Sequence, residues 1–221
     1  KDFAEVLSQY VDVIVCRARL HDNLETLASF SQCPVINGLT ELAHPCQALA
    51  DLFTLRELYG DLTNRYVVYI GDGNNVARSL ALACAKLNVG FALSAPREYQ
   101  VNGDFWSQVK AVRPHFEPRI SEDPAEVLQD ACCVYTDVWA SMGQEAERKK
   151  RQQDFAAYQV NADLMARAPG DACFMHCLPA RRGEEVTNEV IDSPQSVVVR
   201  QAANRMHAQK GILVWYLKQK S

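Results

Sequence analysis

The chain has 221 residues, 48% of them hydrophobic, with a formal net charge of −4 and eight cysteines. That length and apolar content can bury a core in one large domain or two small ones. The acidic balance and scattered basic residues leave no electrostatic footprint for nucleic acid.

No apolar run approaches the roughly 20 residues that span a bilayer, and no signal peptide opens the chain, so the expected location is cytoplasmic. Cys16, Cys33, Cys46, Cys84, Cys132, Cys133, Cys173 and Cys177 lie mostly inside apolar runs without paired spacing. They read as reduced core residues, neither a disulfide frame nor a zinc site. The one compact basic cluster, Arg148-Lys149-Lys150-Arg151, sits among Glu, Gln and Lys, and a solvated helix face is expected there.

In chain order, Phe3, Val6, Leu7 and Tyr10 have helical spacing, and Val11 to Cys16 form a β-branched run ending at Arg17. Leu24, Leu27 and Ala28 mark a second helix. A short strand over Pro34-Val35-Ile36 is closed by the turn pair Asn37-Gly38. Pro45 just inside a helix start and Gly60 just past its end predict a helix that places His44 at its N-terminal edge. On that helix His44, Gln47 and Asp51 share a face, while Leu49, Leu52, Phe53 and Leu55 are expected to supply the apolar contact.

The pattern restarts after Gly60-Asp61, the expected boundary between two halves. Tyr66 to Ile70 is a buried strand, Gly71 to Asn75 a tight turn, Val76 to Leu87 a helix and Val89 to Leu93 a strand. A short helix over Pro124 to Leu128 follows, then a strand over Ala131 to Tyr135 leading to Asp137. Next come a charged helix from Gln144 to about Tyr158, a short one near Ala162 to Ala166, and strands at Ala172 to Met175 and Ser196 to Val199. The chain ends in a helix carrying Asn204, Arg205, His207 and Lys210. Strands alternating with helices, several apolar on both faces, predict an α/β fold with a doubly wound parallel sheet.

Arg17, the Gly71 to Asn75 turn, Asp137 and the His176 to Arg182 loop all follow strands, at the end where ligands bind in open α/β sheets. With the helix start at His44 and Gln47 they predict a shared cleft for a small anionic substrate, which guanidiniums hold well. Gly71-Asp72-Gly73 opens like a dinucleotide fingerprint. Val76 replaces the third glycine, however, and the next strand ends in Ser94-Ala95-Pro96, without a ribose-binding acid. Asn74 and Asn75 at a helix N-terminus suit an α-carboxylate or α-amino group better. Cys177 next to His176 suggests a nucleophile with its base, but neighbours on extended chain point apart, which favours a polar substrate contact. Ligand-like spacing for a metal is absent.

His44-Pro45-Cys46-Gln47, Gly71 to Asn75, Asp137 to Glu145, His176-Cys177-Leu178-Pro179 and Asn204-Arg205-Met206-His207 occur in the order seen in ornithine carbamoyltransferases, which the chain resembles over essentially its whole length. The Ser141-Met142-Gly143 element argues for ornithine over aspartate or acetylornithine. The resemblance implies transfer of a carbamoyl group from carbamoyl phosphate to the side-chain amine of L-ornithine, giving citrulline and phosphate without a cofactor. Arg17, His44, Gln47 and Arg205 would hold carbamoyl phosphate. Asn75, Asp137, Ser141 and Met142 would bind ornithine, and Cys177 with Leu178 would complete the site.

The resemblance also implies two parallel-sheet domains, the first truncated at its N-terminus. Residues 1–60 would be the remainder of a carbamoyl phosphate domain, 61–199 the ornithine domain and 200–221 a helix returning to the first. Homo-oligomers built on trimers are implied, with no membrane or nucleic-acid partner. The family's S-T-R-T-R phosphate segment is expected upstream of Lys1, since the chain opens in helix-like sequence without a methionine. Ala203 stands where the family usually has glutamate, and Arg181 where histidine is common. A non-catalytic binding relative is the alternative this leaves.

Overall fold

A computed structural model of the chain describes residues 1–141 and 143–218, without the side chain of Glu145. The first sixty residues form α1 (Asp2–Leu7), β1 (Ile14–Arg17), α2 (His21–Phe30), β2 (Val35–Leu39) and α3 (Pro45–Tyr59). Strands β1 and β2 pair in parallel as a two-stranded sheet. The Asn37-Gly38 pair does not close β2 as a turn; both residues lie inside the strand, which runs on to Leu39. Gly38 belongs there because a Cβ at that position would sit 3.2 Å from the Cys16 carbonyl, beside the register shift of the pair.

Helix α3 begins with proline in its first turn and ends at Gly60, whose φ of +71° a side chain would resist. Its buried face differs from the expected one. Leu52 and Leu55 are buried, but Leu49 and Phe53 are 45% and 39% exposed, and Ala48, Ala50, Gln47 and Asp51 take the interior instead. The polar trio is thus packed inward against the second half of the chain rather than lining an open helix face.

Beyond Gly60 the chain runs through β3 (Tyr66–Ile70), α4 (Asn75–Leu87), β4 (Gly90–Ser94), α5 (Gly103–Val112), β5 (Arg119–Ser121), α6 (Pro124–Val127) and β6 (Ala131–Thr136). It continues with α7 (Arg148–Asp154), α8 (Ala162–Met165), β7 (Cys173–His176), α9 (Asn188–Ile191) and α10 (Val198–Lys218). The five strands lie in the order β5-β4-β3-β6-β7, every neighbouring pair parallel. Starting from β3, the chain winds outward through β4 and β5, then returns to β6 on the other side. The crevice of such a sheet opens where the order reverses, between the carboxyl ends of β3 and β6.

Alternation along β3 divides the core: Val67 and Tyr69 face one layer with Leu80, Cys84 and Phe91, while Val68 and Ile70 face the other with Val134, Phe155 and Phe174. Both faces of the central strands are buried, which is why they read as continuous apolar runs.

Three further expectations are corrected. Residues 196–199 are not a strand: Ser196 makes a single bridge to Phe174, and α10 already begins at Val198. The charged segment from 144 to 158 is α7 flanked by two short 3₁₀ turns, not one helix. Arg151 is not on a solvated face. It is 6% exposed, with Nη1 donating to Asp72 Oδ2 at 2.7 Å and to the Trp139 carbonyl at 2.9 Å. Its Nε donates to Glu147, and its guanidinium lies over the Tyr99 ring.

Removing one partner of a buried ion pair strands the other. Arg151→Met is therefore expected to lower the unfolding free energy by about 3 kcal/mol in urea denaturation at neutral pH. The neighbouring Lys150→Met breaks solvent-facing contacts, to Glu98, Asp154 and the Tyr99 hydroxyl, and should cost less than about 1 kcal/mol.

Candidate active site

The cleft is built from two sides. On the first, the His44 backbone N–H donates to Ser79 Oγ on α4 at 2.7 Å, fixing the start of α3 against the large sheet. Burial pushes the His44 pKa down to about 4, Arg205 adding to the shift and Arg17 lowering it further, while Asp137 opposes. At neutral pH the imidazole is uncharged, and its buried Nδ1 has no hydrogen-bond partner among the described residues.

One turn on, Gln47 Oε1 accepts from Arg205 Nη1 on α10, while Gln47 Nε2 donates to Asp51 Oδ1 at 2.8 Å. Arg17, at the end of β1, is exposed and acts on His44 through its charge. An uncharged imidazole between two guanidiniums can donate to a carbonyl oxygen while the cations hold an anion.

The second side lies at the switch point. Asn74 caps α4, its Oδ1 accepting from the Val76 and Ala77 N–H groups and from the Tyr69 hydroxyl. Its amide nitrogen is left to donate to Asp137 Oδ2 at 2.9 Å. The other Asp137 oxygen accepts from Cys177 Sγ at 3.1 Å. Burial, reinforced by the Asp137 charge, holds the Cys177 thiol well above its usual pKa, so it stays protonated. His176 does not serve it as a base. Its Nδ1 accepts the Leu178 N–H at 2.8 Å, which leaves the proton on Nε2, 3.1 Å from Glu185 Oε1.

Asp137, His176 and Cys177 bring ligand atoms within 4.8 Å of one another. Both His176 nitrogens are nonetheless committed to protein partners, so the trio does not offer a free imidazole to a metal.

The remaining predicted site residues are spread around this centre. Asn75 turns its amide away to donate to the Thr40 carbonyl at 2.7 Å, joining the two halves. The Ser141 N–H donates to Gln144 Oε1, and Leu178, at φ +57°, is 37% exposed at the mouth. Met142 lies outside the described residues. The structure therefore brings His44, Gln47 and Arg205 together on one side and Asn74, Asp137 and Cys177 on the other.

Family models match nearly the whole chain: the carbamoyl-P binding domain of aspartate/ornithine carbamoyltransferases over residues 1–57, and the Asp/Orn binding domain over 63–216. The chain belongs to the aspartate/ornithine carbamoyltransferase family. It is 49% identical to the ornithine carbamoyltransferase of Methanopyrus kandleri, over 96% of this chain and 69% of that one. The anabolic ornithine carbamoyltransferase of Pyrococcus furiosus is 50% identical over 96% and 68% of the two chains. The solved structure of the ornithine carbamoyltransferase from that organism superimposes with a TM-score of 0.90 at 49% identity, covering 96% of this chain and 68% of that one.

Within this carbamoyltransferase fold, sequence reading missed Ser79 and Thr40, which lock the start of α3 and of α4 to each other across the halves. Neither carries a local signal, since a buried serine on a helix and a threonine in a loop look like any other. Asn74 was legible as a helix cap, and its second bond, to Asp137, depends on the fold.

Because folded His44 resists protonation, the unfolded chain takes up that proton first as pH falls from 6.5 towards 4, and this residue subtracts stability across that window. In a histidine NMR titration the His44 ring is expected to remain neutral down to about pH 5. Arg205→Ala should move its titration upward.

Proposed function

We propose that this chain transfers the carbamoyl group of carbamoyl phosphate to the side-chain amine of L-ornithine, yielding L-citrulline and phosphate. The carrying observation is near 50% identity to ornithine carbamoyltransferases over 96% of the chain. The two-sided cleft has the chemistry this transfer needs: an anion grip facing a carboxylate.

In the proposed reaction Arg17 and Arg205 hold the phosphate oxygens. Neutral His44 donates to the carbonyl, whose oxygen gains charge as the amine adds, and Gln47, with its NH₂ on Asp51, presents its oxygen to the Arg205 guanidinium that grips the anion. Asp137, with one oxygen on Asn74 and the other on the Cys177 thiol, keeps lone pairs that orient an ammonium and can take its proton. The free amine nitrogen attacks the carbonyl carbon, the bond from that carbon to the bridging oxygen breaks, and the departing phosphate keeps that oxygen, takes the electron pair and accepts the second amine proton. Asn75, Ser141, Met142 and Leu178 would line the amino-acid end. Bringing two substrates into line contributes through lost freedom paid at binding.

The proposal includes a division into residues 1–60, 61–199 and 200–221, assembly as a trimer or a multiple of trimers, and a cytoplasmic place in arginine synthesis. No helix of the described residues is long and apolar enough to cross a membrane.

The test is citrulline formation with ornithine against acetylornithine. At least about a hundredfold preference in kcat/KM for ornithine is expected, and equal rates would refute the substrate assignment. Asp137→Asn should lower kcat/KM for ornithine about a hundredfold or more, since the amide cannot take a proton. Cys177→Ala removes one donor to Asp137 and should lower it about tenfold without abolishing turnover. Complete loss together with a covalent adduct would make Cys177 a nucleophile.

A further inference from the structure

Asp51 lies in the interior of α3 with no exposed surface. Its Oδ1 accepts from Gln47 Nε2 at 2.8 Å and from Gln201 Nε2 on α10 at 2.7 Å, and its Oδ2 accepts from the Tyr135 hydroxyl on β6 at 3.1 Å. All three donors are neutral. Burial pushes its pKa up to about 6, with Gln47, Gln201 and Tyr135 and then the more distant Arg205 charge holding it back, so the group is a carboxylate at neutral pH. A carboxylate placed in the interior without a cation in contact is costly to keep unless its bonds do something else.

Those bonds determine which way two amides face. A side-chain amide has one accepting end and one donating end, and a carboxylate accepts only. Both glutamines must therefore turn NH₂ towards Asp51 and oxygen away. For Gln47 the oxygen then meets Arg205 Nη1; for Gln201 it meets the His176 backbone N–H at 3.0 Å. One oxygen atom thus orders groups from the first half, the C-terminal helix and the loop-bearing strand β7.

We propose that Asp51 is a positioning residue for the reaction: by accepting from Gln47 and Gln201 it sets the amide orientation that holds the Arg205 guanidinium at the anion side of the cleft. This role rests on the carbamoyl-transfer reading. Without the acceptor, the Gln47 amide rotates to offer NH₂ to the cleft, two like donors face each other, and Arg205 loses its tie to α3, keeping only the Gln209 amide oxygen of its own helix among the described residues.

The test compares Asp51→Leu, which has similar bulk and no acceptor, with Asp51→Asn. The asparagine can keep its oxygen towards both glutamines while its nitrogen faces a Tyr135 hydroxyl rotated to accept. Asp51→Leu is expected to raise KM for carbamoyl phosphate about tenfold, the loss of a hydrogen bond to a charged group. Asp51→Asn should stay within about threefold of the unaltered enzyme. A defect only in folding would remove active molecules and lower kcat with KM unchanged.

Crystal structures of both variants give a readout that does not need turnover: Gln47 Oε1 should leave Arg205 in Asp51→Leu and remain on it in Asp51→Asn. An unchanged Gln47–Arg205 contact in the leucine variant overturns the proposal. So does an asparagine variant that folds yet loses as much affinity as the leucine one. The asparagine variant decides the matter by itself if the leucine variant does not fold. Absence of citrulline formation by the unaltered protein would sink the functional reading and leave the structural comparison standing.

Discussion

The site depends on keeping two carboxylates in a nearly dry interior, each without a cation in contact. Asp137 is held by an amide and a thiol, Asp51 by two amides and a phenol. Neutral donors can fix the direction of a carboxylate without cancelling its charge, as a bound guanidinium would. The two negative charges therefore stay available to the guanidiniums and the imidazole across the cleft. His44 feels the Asp137 charge, but burial together with Arg205 and Arg17 outweighs it and keeps the imidazole neutral.

A second consequence concerns how the halves are joined. Beside the apolar packing of Ala48, Leu52 and Leu55 against Leu80, Ala81 and Cys84, directional polar bonds join them: the His44 N–H to Ser79, Asn75 to the Thr40 carbonyl, Asn204 to Thr54 and Glu57. Apolar surfaces tolerate sliding, whereas a row of hydrogen bonds with defined donors does not. The cleft thus has a fixed register along its length even though its walls come from separate sheets.

The central strands were legible because burial on both faces leaves a continuous apolar run. Helix α3 was legible at its ends because Pro45 and Gly60 punctuate it. Its buried face was only half legible, because the interior there is partly polar: Leu52 and Leu55 point inward as expected, but so do Gln47 and Asp51, while Leu49 and Phe53 face out. Burial of a polar group also hid Arg151, a cation in a charged run that packs beneath Tyr99 to meet Asp72. Residues 196–199 are apolar enough for a strand, but only Ser196 reaches the sheet before α10 begins. In the site, residue types and their strand-end positions could be read, and the partners of each could not, because those partners lie many residues away.

Gly73 carries a lesson for motif searches. A Cβ there would come within 2.7 Å of the Val101 nitrogen and 2.8 Å of the Tyr99 carbonyl, which already bonds the Gly73 N–H. The glycine is required by a neighbouring loop of the same chain crossing over the turn, where nucleotide-binding sheets leave room for a pyrophosphate. Its space is filled by protein. The second glycine after a parallel strand can therefore mark backbone crowding, and whether the crowding atom belongs to a cofactor or to the fold itself is decided here by a segment some thirty residues downstream.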